Sequence, residues 1–599
     1  MQITDFPIQY NVSLSSVTAH TYTVSLFIQS PHVDGQVLTL PAWIPGSYMI
    51  RDFAKHVINL YVTDCDNNSV RVSKTDKQTW QIAPSKGPIL VTYQVYAFDL
   101  SVRGAYINDL YGFFNGSNLL LCVEDQQNQA CLLAIQHPNH GFKRCDIATS
   151  MNFHSQQNDT SYFVADNYAD LIDHPVLMGE FDRTHFKIAD IDCELVLAGG
   201  HQCDPDRITQ DLSQICLQHL QLFGQPTPVK RYVFLTLLTD AAFGGLEHRA
   251  STALMFARND LPNQYEPTQP GDAYQNFLSL CSHEFFHTWH VKRIRPAELL
   301  GGSLASENYT EQLWIYEGFT SYYDDLLLQR SQIISLDSYL TLLGQHLTRL
   351  QRNKGRFKQT LAESSFDAWT KFYKQDESAI NNIVSYYNKG AIVALCLDLA
   401  IRLTSDCRYS LDTVIQCLWQ QFGQTGTPTP KTVIHDIIHQ QLNLDLSPYF
   451  DLNQAVYTCE ELPISGLLAA FGVQLNLRAR TDINDKGGKP AKNMVKHDFG
   501  ANFKSLSTGI EITQVSDNSA ASQAGLMTGD QLIALNNWQV TGQNIYALID
   551  SLTQLQSVSM FVLRDKRLVV LSFTATRAQF DTVYLELVDS KRVARWLTT

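Results

Sequence analysis

His283 and His287 stand four residues apart, with Glu284 directly after the first, in the stretch Cys281-Ser282-His283-Glu284-Phe285-Phe286-His287-Thr288-Trp289-His290. On an α-helix, residues four apart share a face, so both imidazoles can offer a nitrogen to one metal ion. Zinc takes such ligands readily. A glutamate beside the first ligand can take a proton from water attacking a substrate carbonyl at that metal. The same five residues also describe two surface histidines flanking a solvated glutamate. The H-E-x-x-H pattern alone does not separate the two readings.

The elements around this pattern carry more information. Apolar residues recur through Tyr274, Phe277, Leu278, Leu280, Cys281 and Phe285, which predicts a helix, and Pro296 closes the run. A third ligand is expected on a neighbouring helix, predicted around Leu313 to Tyr323. Glu317 lies there among Leu313, Trp314 and Tyr316, where a carboxylate with nothing to neutralise it is costly. Glu307 and Glu311 compete for the role, but their surroundings are polar, and the balance favours Glu317.

The chain has 599 residues, enough for about three to five domains. Its net charge of −14 argues against nucleic acid or an anionic membrane as partner, since both require a basic face. The opening Met1-Gln2-Ile3-Thr4-Asp5 carries no signal-peptide pattern, and no apolar run is long enough to span a bilayer. Twelve cysteines are scattered without a C-x-x-C, many within apolar runs. A reduced, cytoplasmic protein is the expectation.

Taken in order, residues 1–165 read as strands separated by turns such as Pro45-Gly46-Ser47, which predicts a sandwich-like β domain. Asp99 and Arg103 within it read as a structural pair. From 166 to 323 helix and strand alternate. Phe243-Gly244-Gly245-Leu246-Glu247-His248 falls between two strands and reads as a glycine turn with an exposed acid. Residues 324–465 are mostly helical, with the strongest runs at Leu336–Leu350 and Ile392–Leu403. Tyr386 and Tyr387 precede the second run and read as core aromatics, although a tyrosine hydroxyl also suits an oxyanion. Residues 466–599 end in a compact unit of strands with two short helices around Ser519 and Ile545–Leu555, then a C-terminal tail.

Four pieces together resemble the PDZ-containing glycyl aminopeptidase family, zinc exopeptidases distantly similar to aminopeptidase N. They are Gly244-Gly245-Leu246-Glu247-His248; His283 to His287 continuing through Val291-Lys292-Arg293-Ile294-Arg295-Pro296; Trp314-Ile315-Tyr316-Glu317-Gly318-Phe319; and Tyr387-Asn388-Lys389-Gly390. The C-terminal unit resembles a PDZ domain in Ala524-Gly525-Leu526 and Gly529-Asp530. The resemblance implies a multidomain α+β protein: a β-sandwich-like domain, a thermolysin-like zinc peptidase domain, a helical domain and a PDZ-like domain. It implies one zinc ion per chain on His283, His287 and Glu317, with Glu284 as general base and Tyr387 steadying the tetrahedral intermediate. Glu247, with Gly244 and Gly245 beside it, would hold the free α-amino group of a peptide. The shorter ligand spacing usual in aminopeptidase N would land on Ser306, so the family with the longer loop fits better. A metzincin is disfavoured, because His290 and Arg293 occupy the places of its glycine and third histidine.

The expected activity is therefore removal of small amino-terminal residues, glycine or alanine, from peptides, with a peptide tail as a candidate ligand of the PDZ-like unit. Two other readings stand beside it: a PDZ-based scaffold on a degenerate peptidase body, and a zinc endopeptidase.

Overall fold

Thr21 to Ile28 alternates so that Tyr22, Val24, Leu26 and Ile28 point inward and are fully buried, the pattern of a strand with one face in a core. The computed structural model describes residues 5–137, 142 and 145–598. Its chain divides into two compact units, one of Met1–Asn308 with Leu418–Thr429 and the other of Tyr309–Cys417 with Pro430–Thr599.

The first unit begins with an eight-stranded sheet. Its strands are β1 (Ile8–Ser16), β2 (Thr21–Ile28), β3 (Val57–Asp64), β4 (Ser69–Val70), β5 (Ile89–Tyr96), β6 (Cys131–Gln136), β7 (Asn152–Gln157) and β8 (Thr160–Ala165). The order is β7-β8-β6-β1-β2-β5-β3-β4, and two four-stranded sheets accompany it. Its inward side chains, among them Val24, Leu26 and Tyr93, share one core with Phe113, Phe114 and Leu177 of one smaller sheet and Leu38 and Trp80 of the other.

A second, five-stranded sheet follows: β9 (Phe181–Ile188), β10 (Ile191–Ala198), β11 (Arg231–Thr239), β12 (Phe243–Glu247) and β13 (Ser251–Ala257), in the order β9-β10-β11-β13-β12. The central strands β10, β11 and β13 are parallel. Tyr232 to Leu238 is buried without interruption, as expected of a parallel strand covered on both faces. Helix α1 (Pro205–Phe223) starts where the Asp204 side chain accepts from the Arg207 N–H with proline in the first turn. It packs against α2 (Asp272–Phe286), the helix of the two histidines. His219 of α1 lies within 3.0 Å of the Ser282 carbonyl and 3.1 Å of its own Ile215 carbonyl. Burial pulls its pKa down to about 4, so the ring is neutral where the helices meet.

The second unit is built on α3 (Leu313–Arg330), α4 (Leu336–Arg352) and α5 (Tyr386–Thr404). The two strongest helical runs differ in environment: α4 has a polar face, whereas α5 is buried nearly all round. That explains a departure from the sequence reading. Ala379–Thr404 is long and apolar enough to cross a membrane by length and composition, yet 83% of its apolar window is buried inside the protein. The C-terminal sheet contains Ala501–Ser505, Ile510–Val515, Gln531–Leu535, Ser557–Arg564 and Arg567–Thr574, with short helices at Ala520–Gln523 and Ile545–Asp550. Asn536 and Asn537, both at positive φ, form its tight hairpin turn. The stretch expected as a tail is ordered structure: β14 (Val473–Arg478) pairs with β15 (Thr582–Leu587), and a last helix covers Ser590–Leu597.

Together these elements form a multidomain α+β protein with β-rich N-terminal and C-terminal regions and helices between them.

Candidate active site

His283 and Glu284 occupy the last turn of α2 and His287 caps it, so the helix ends at Phe286, well before the expected Pro296. Two contacts stop it. The Trp289 ring lies flat on Phe223, centroids 4.6 Å apart and 6° from parallel. The Arg293 guanidinium caps the turn, donating to the carbonyls of Thr288 at 2.6 Å, Arg249 at 3.1 Å and Pro228 at 3.1 Å. In this turn His287 Nδ1 donates to the His290 carbonyl at 2.7 Å, which fixes the tautomer and leaves Nε2 as the nitrogen able to coordinate an ion.

Glu317 lies on α3 and is only 2% exposed. The ligand atoms of His283, His287 and Glu317 all fall within 4.8 Å of one another. The competitor Glu311 instead meets Lys431 at 3.3 Å on the surface. Two imidazoles and a carboxylate are the donor set of a catalytic zinc site, in which three protein ligands leave one position open. The residues present fit that ion.

Gly318 follows Glu317 and touches α5 directly: a β-carbon there would stand 2.5 Å from the Gly390 carbonyl carbon. This backbone contact seats α3 against α5, three residues past Tyr387. Burial, and next the Glu317 carboxylate, hold the Tyr387 phenol well above its ordinary range, so it remains a protonated donor. Its hydroxyl lies 3.3 Å from that of Tyr373, and its ring stacks on Phe372 at 5.5 Å. Neither neighbour carries a sequence signal beyond being aromatic.

The Gly244–Glu247 motif is not a turn. It forms β12, the edge strand of its sheet, pairing antiparallel with β13 so that Glu247 stands opposite Thr252. Gly245 passes so close under the Glu284 carboxylate that a β-carbon there would push that side chain aside, whereas at Gly244 an added β-carbon would meet only Arg103, at 3.8 Å. Arg103 does not pair with Asp99. Its guanidinium donates to the Gly245 carbonyl at 3.0 Å, so a residue of the N-terminal β region holds the edge strand in place.

Glu247 is not an exposed acid either. It is 4% exposed, and its Oε1 has no hydrogen-bond partner among the described residues. It lines a cavity of about 510 Å³ with Trp43, Gly46, Tyr48 and Lys292. Beside it, Asp173 meets Lys292 at 2.7 Å and His248 at 3.3 Å, and the Lys292 ammonium also donates to the Glu247 carbonyl at 3.3 Å. Burial would raise the Asp173 carboxyl, but Lys292 and His248 outweigh it and hold it far below its usual range. Burial keeps His248 below its ordinary value in spite of the neighbouring carboxylate. Sequence reasoning missed Asp173, Lys292 and Arg103 as parts of this site, although Lys292 lies within a motif it had singled out.

The family model of the peptidase M61 N-terminal domain matches residues 9–180, and that of the M61 glycyl aminopeptidase matches residues 276–393. The crystal structure of an aminopeptidase N family protein from Idiomarina loihiensis is 41% identical, covers 99% of this chain and 100% of its own, and superposes with a TM-score of 0.95. An M1 zinc metallopeptidase from Deinococcus radiodurans is 12% identical over 76% of this chain and 94% of its own, with a TM-score of 0.46. A search of curated proteins returned no match. With a His-His-Glu cluster suited to zinc and a near-complete match to an aminopeptidase relative, the chain is a zinc-dependent aminopeptidase and belongs to the M61 glycyl aminopeptidase family.

Proposed function

We propose that this enzyme removes single small residues, glycine or alanine, from peptides with a free amino terminus, using one zinc ion held by His283, His287 and Glu317. The observation that carries the reading is the buried Glu247 carboxylate, whose Oε1 has no partner among the described residues and which lines a cavity. Such an oxygen is costly unless a cation arrives to meet it, and the ammonium of a peptide's first residue is a cation of suitable size.

When bound, zinc polarises the scissile carbonyl and acidifies the attacking water. Glu284, set against Gly245, accepts the proton of that water and later returns it to the leaving amine. The Tyr387 hydroxyl, kept protonated, donates to the oxygen that gains negative charge, a contact typically worth roughly 2.7–4 kcal/mol of barrier. Glu247 holds the ammonium, so only the first peptide bond comes into register. Gly245 leaves room for the base, and Gly244 lies on the same strand. The preference for glycine rests on the family description. The same reading takes residues 166–323 as a thermolysin-like catalytic domain and 466–599 as a PDZ-like domain able to take a peptide tail.

The test is a panel of glycyl and alanyl peptides, free and amino-acetylated, assayed with and without a chelator. Free peptides should be cleaved at the first bond only, with activity lost on chelation and restored by zinc. Cleavage of the acetylated peptides at comparable rates would replace this reading with an endopeptidase.

A further inference from the structure

Lys389 belongs to the Tyr387–Gly390 motif, yet the chemistry above makes no use of it. Its side chain is 2% exposed, and Nζ has neither a hydrogen-bond partner nor an ion pair among the described residues. It forms part of the wall of a cavity of about 200 Å³ within the second unit. Half of that wall is aliphatic, including Leu347 and Leu350 of α4, Leu475 and Leu477 of β14, Val583 of β15 and Ile464. The other cation there, Arg356, is already engaged by Glu461 at 3.1 Å and by the Asn353 carbonyl at 3.0 Å. The polar half of the lining is completed by Gln351, Cys459, Ser465 and Glu460, whose carboxylate accepts from the Gln454 amide.

An ammonium shut away from water and left unpaired costs several kcal/mol. Two arrangements relieve that cost. The amine can give up its proton, and burial does pull its pKa below the ordinary lysine range. Alternatively, an anion can enter and pair with it. The lining limits which anion. A phosphate needs several converging donors, and Lys389 is the single unengaged cation among these wall residues. The volume is below that of typical drug-sized sites, and the aliphatic half of the wall is made of branched side chains.

We infer that this cavity is a binding site for a small monocarboxylate with a short branched aliphatic body, its carboxylate paired with Lys389 and its hydrocarbon against Leu347, Leu475 and Val583. The site is separate from the peptide chemistry and does not depend on it.

The probe is 3-methylbutanoate, titrated calorimetrically into the full-length, zinc-loaded chain, with 3-methylbutanamide as its uncharged isostere. The acid should bind at least about tenfold more tightly than the amide. It should take up protons on binding, seen as a heat that depends on the buffer, and should weaken as pH rises. In Lys389→Met, which keeps the volume and removes the charge, the acid should bind no better than the amide. Equal binding of acid and amide to the wild-type chain would overturn the assignment, as would undiminished binding of the acid to Lys389→Met, the result expected if it coordinated the zinc instead. Absence of binding by the acid would overturn it too. Should Lys389→Met fail to fold, the wild-type comparison of acid with amide still decides.

Discussion

The α-carbon of Gly245 lies beneath the carboxylate of Glu284, where an added methyl group would collide with Oε1. The contact at Gly318 is of a different kind, because there the added carbon meets the backbone of Gly390. A side chain can swing aside and a packed helix cannot. Gly245→Ala should therefore fold and bind zinc but lose most of its turnover, the displaced base being its main defect. Gly318→Ala should be destabilised by about 1–3 kcal/mol through overpacking, with zinc affinity falling as Glu317 moves. Thermal unfolding, zinc content and kcat measured on both variants separate these outcomes.

Glu284→Gln keeps the shape and hydrogen-bonding size of the side chain but cannot accept the proton. Zinc content should stay at the wild-type level while kcat falls by about 10²–10⁴. Tyr387→Phe removes one donor to the developing oxyanion and should cost about 10²–10³ in kcat with little change in KM. Near-wild-type turnover in either variant removes that residue from the chemistry.

Glu247→Gln retains the volume at the end of β12 without the charge. The preference for free over acetylated amino termini should shrink, mainly through a rise in KM for the free peptide. A ratio of kcat/KM between the two substrates equal to that of the wild type would show that the ammonium is held elsewhere.

His219 links acid sensitivity to the helix that carries His283 and His287. Its folded pKa of about 4 lies below the ordinary value near 6.5, so the unfolded chain binds a proton the folded chain does not between those pH values. Stability should thus be intact above the ordinary value and fall as pH drops through this window, by roughly 3 kcal/mol in all. Denaturant unfolding of His219→Gln across the same range should show a shallower slope. An identical slope would mean that His219 is not buried neutral.

The parts of the site legible in the sequence are those whose signal is local. The spacing of His283 and His287 and the apolar neighbours of Glu317 suffice to pick out three residues that the fold brings together. The β alternation of Tyr22 to Ile28 is equally local. What the sequence hid depends on distant partners. Gly244 and Gly245 read as a turn because glycine usually breaks a strand, yet here the strand needs glycine to clear the Glu284 carboxylate. The end of α2 is set by Arg293 and Trp289 in tertiary contacts, not by Pro296. The strand at Thr582–Leu587 finds its partner more than a hundred residues earlier, at Val473–Arg478, and looked like a tail for that reason.

The Arg103 guanidinium on the Gly245 carbonyl has a practical bearing on engineering. Trp43, Gly46 and Tyr48, from the same early part of the sequence, share the cavity wall with Glu247. A fragment trimmed to the peptidase core would shed both the clamp on its edge strand and one wall of the cavity that Glu247 lines. On the proposed function, grafting specificity from one relative to another means transplanting the amino-terminal third as well, because the walls around Glu247 are written in two distant stretches of the sequence.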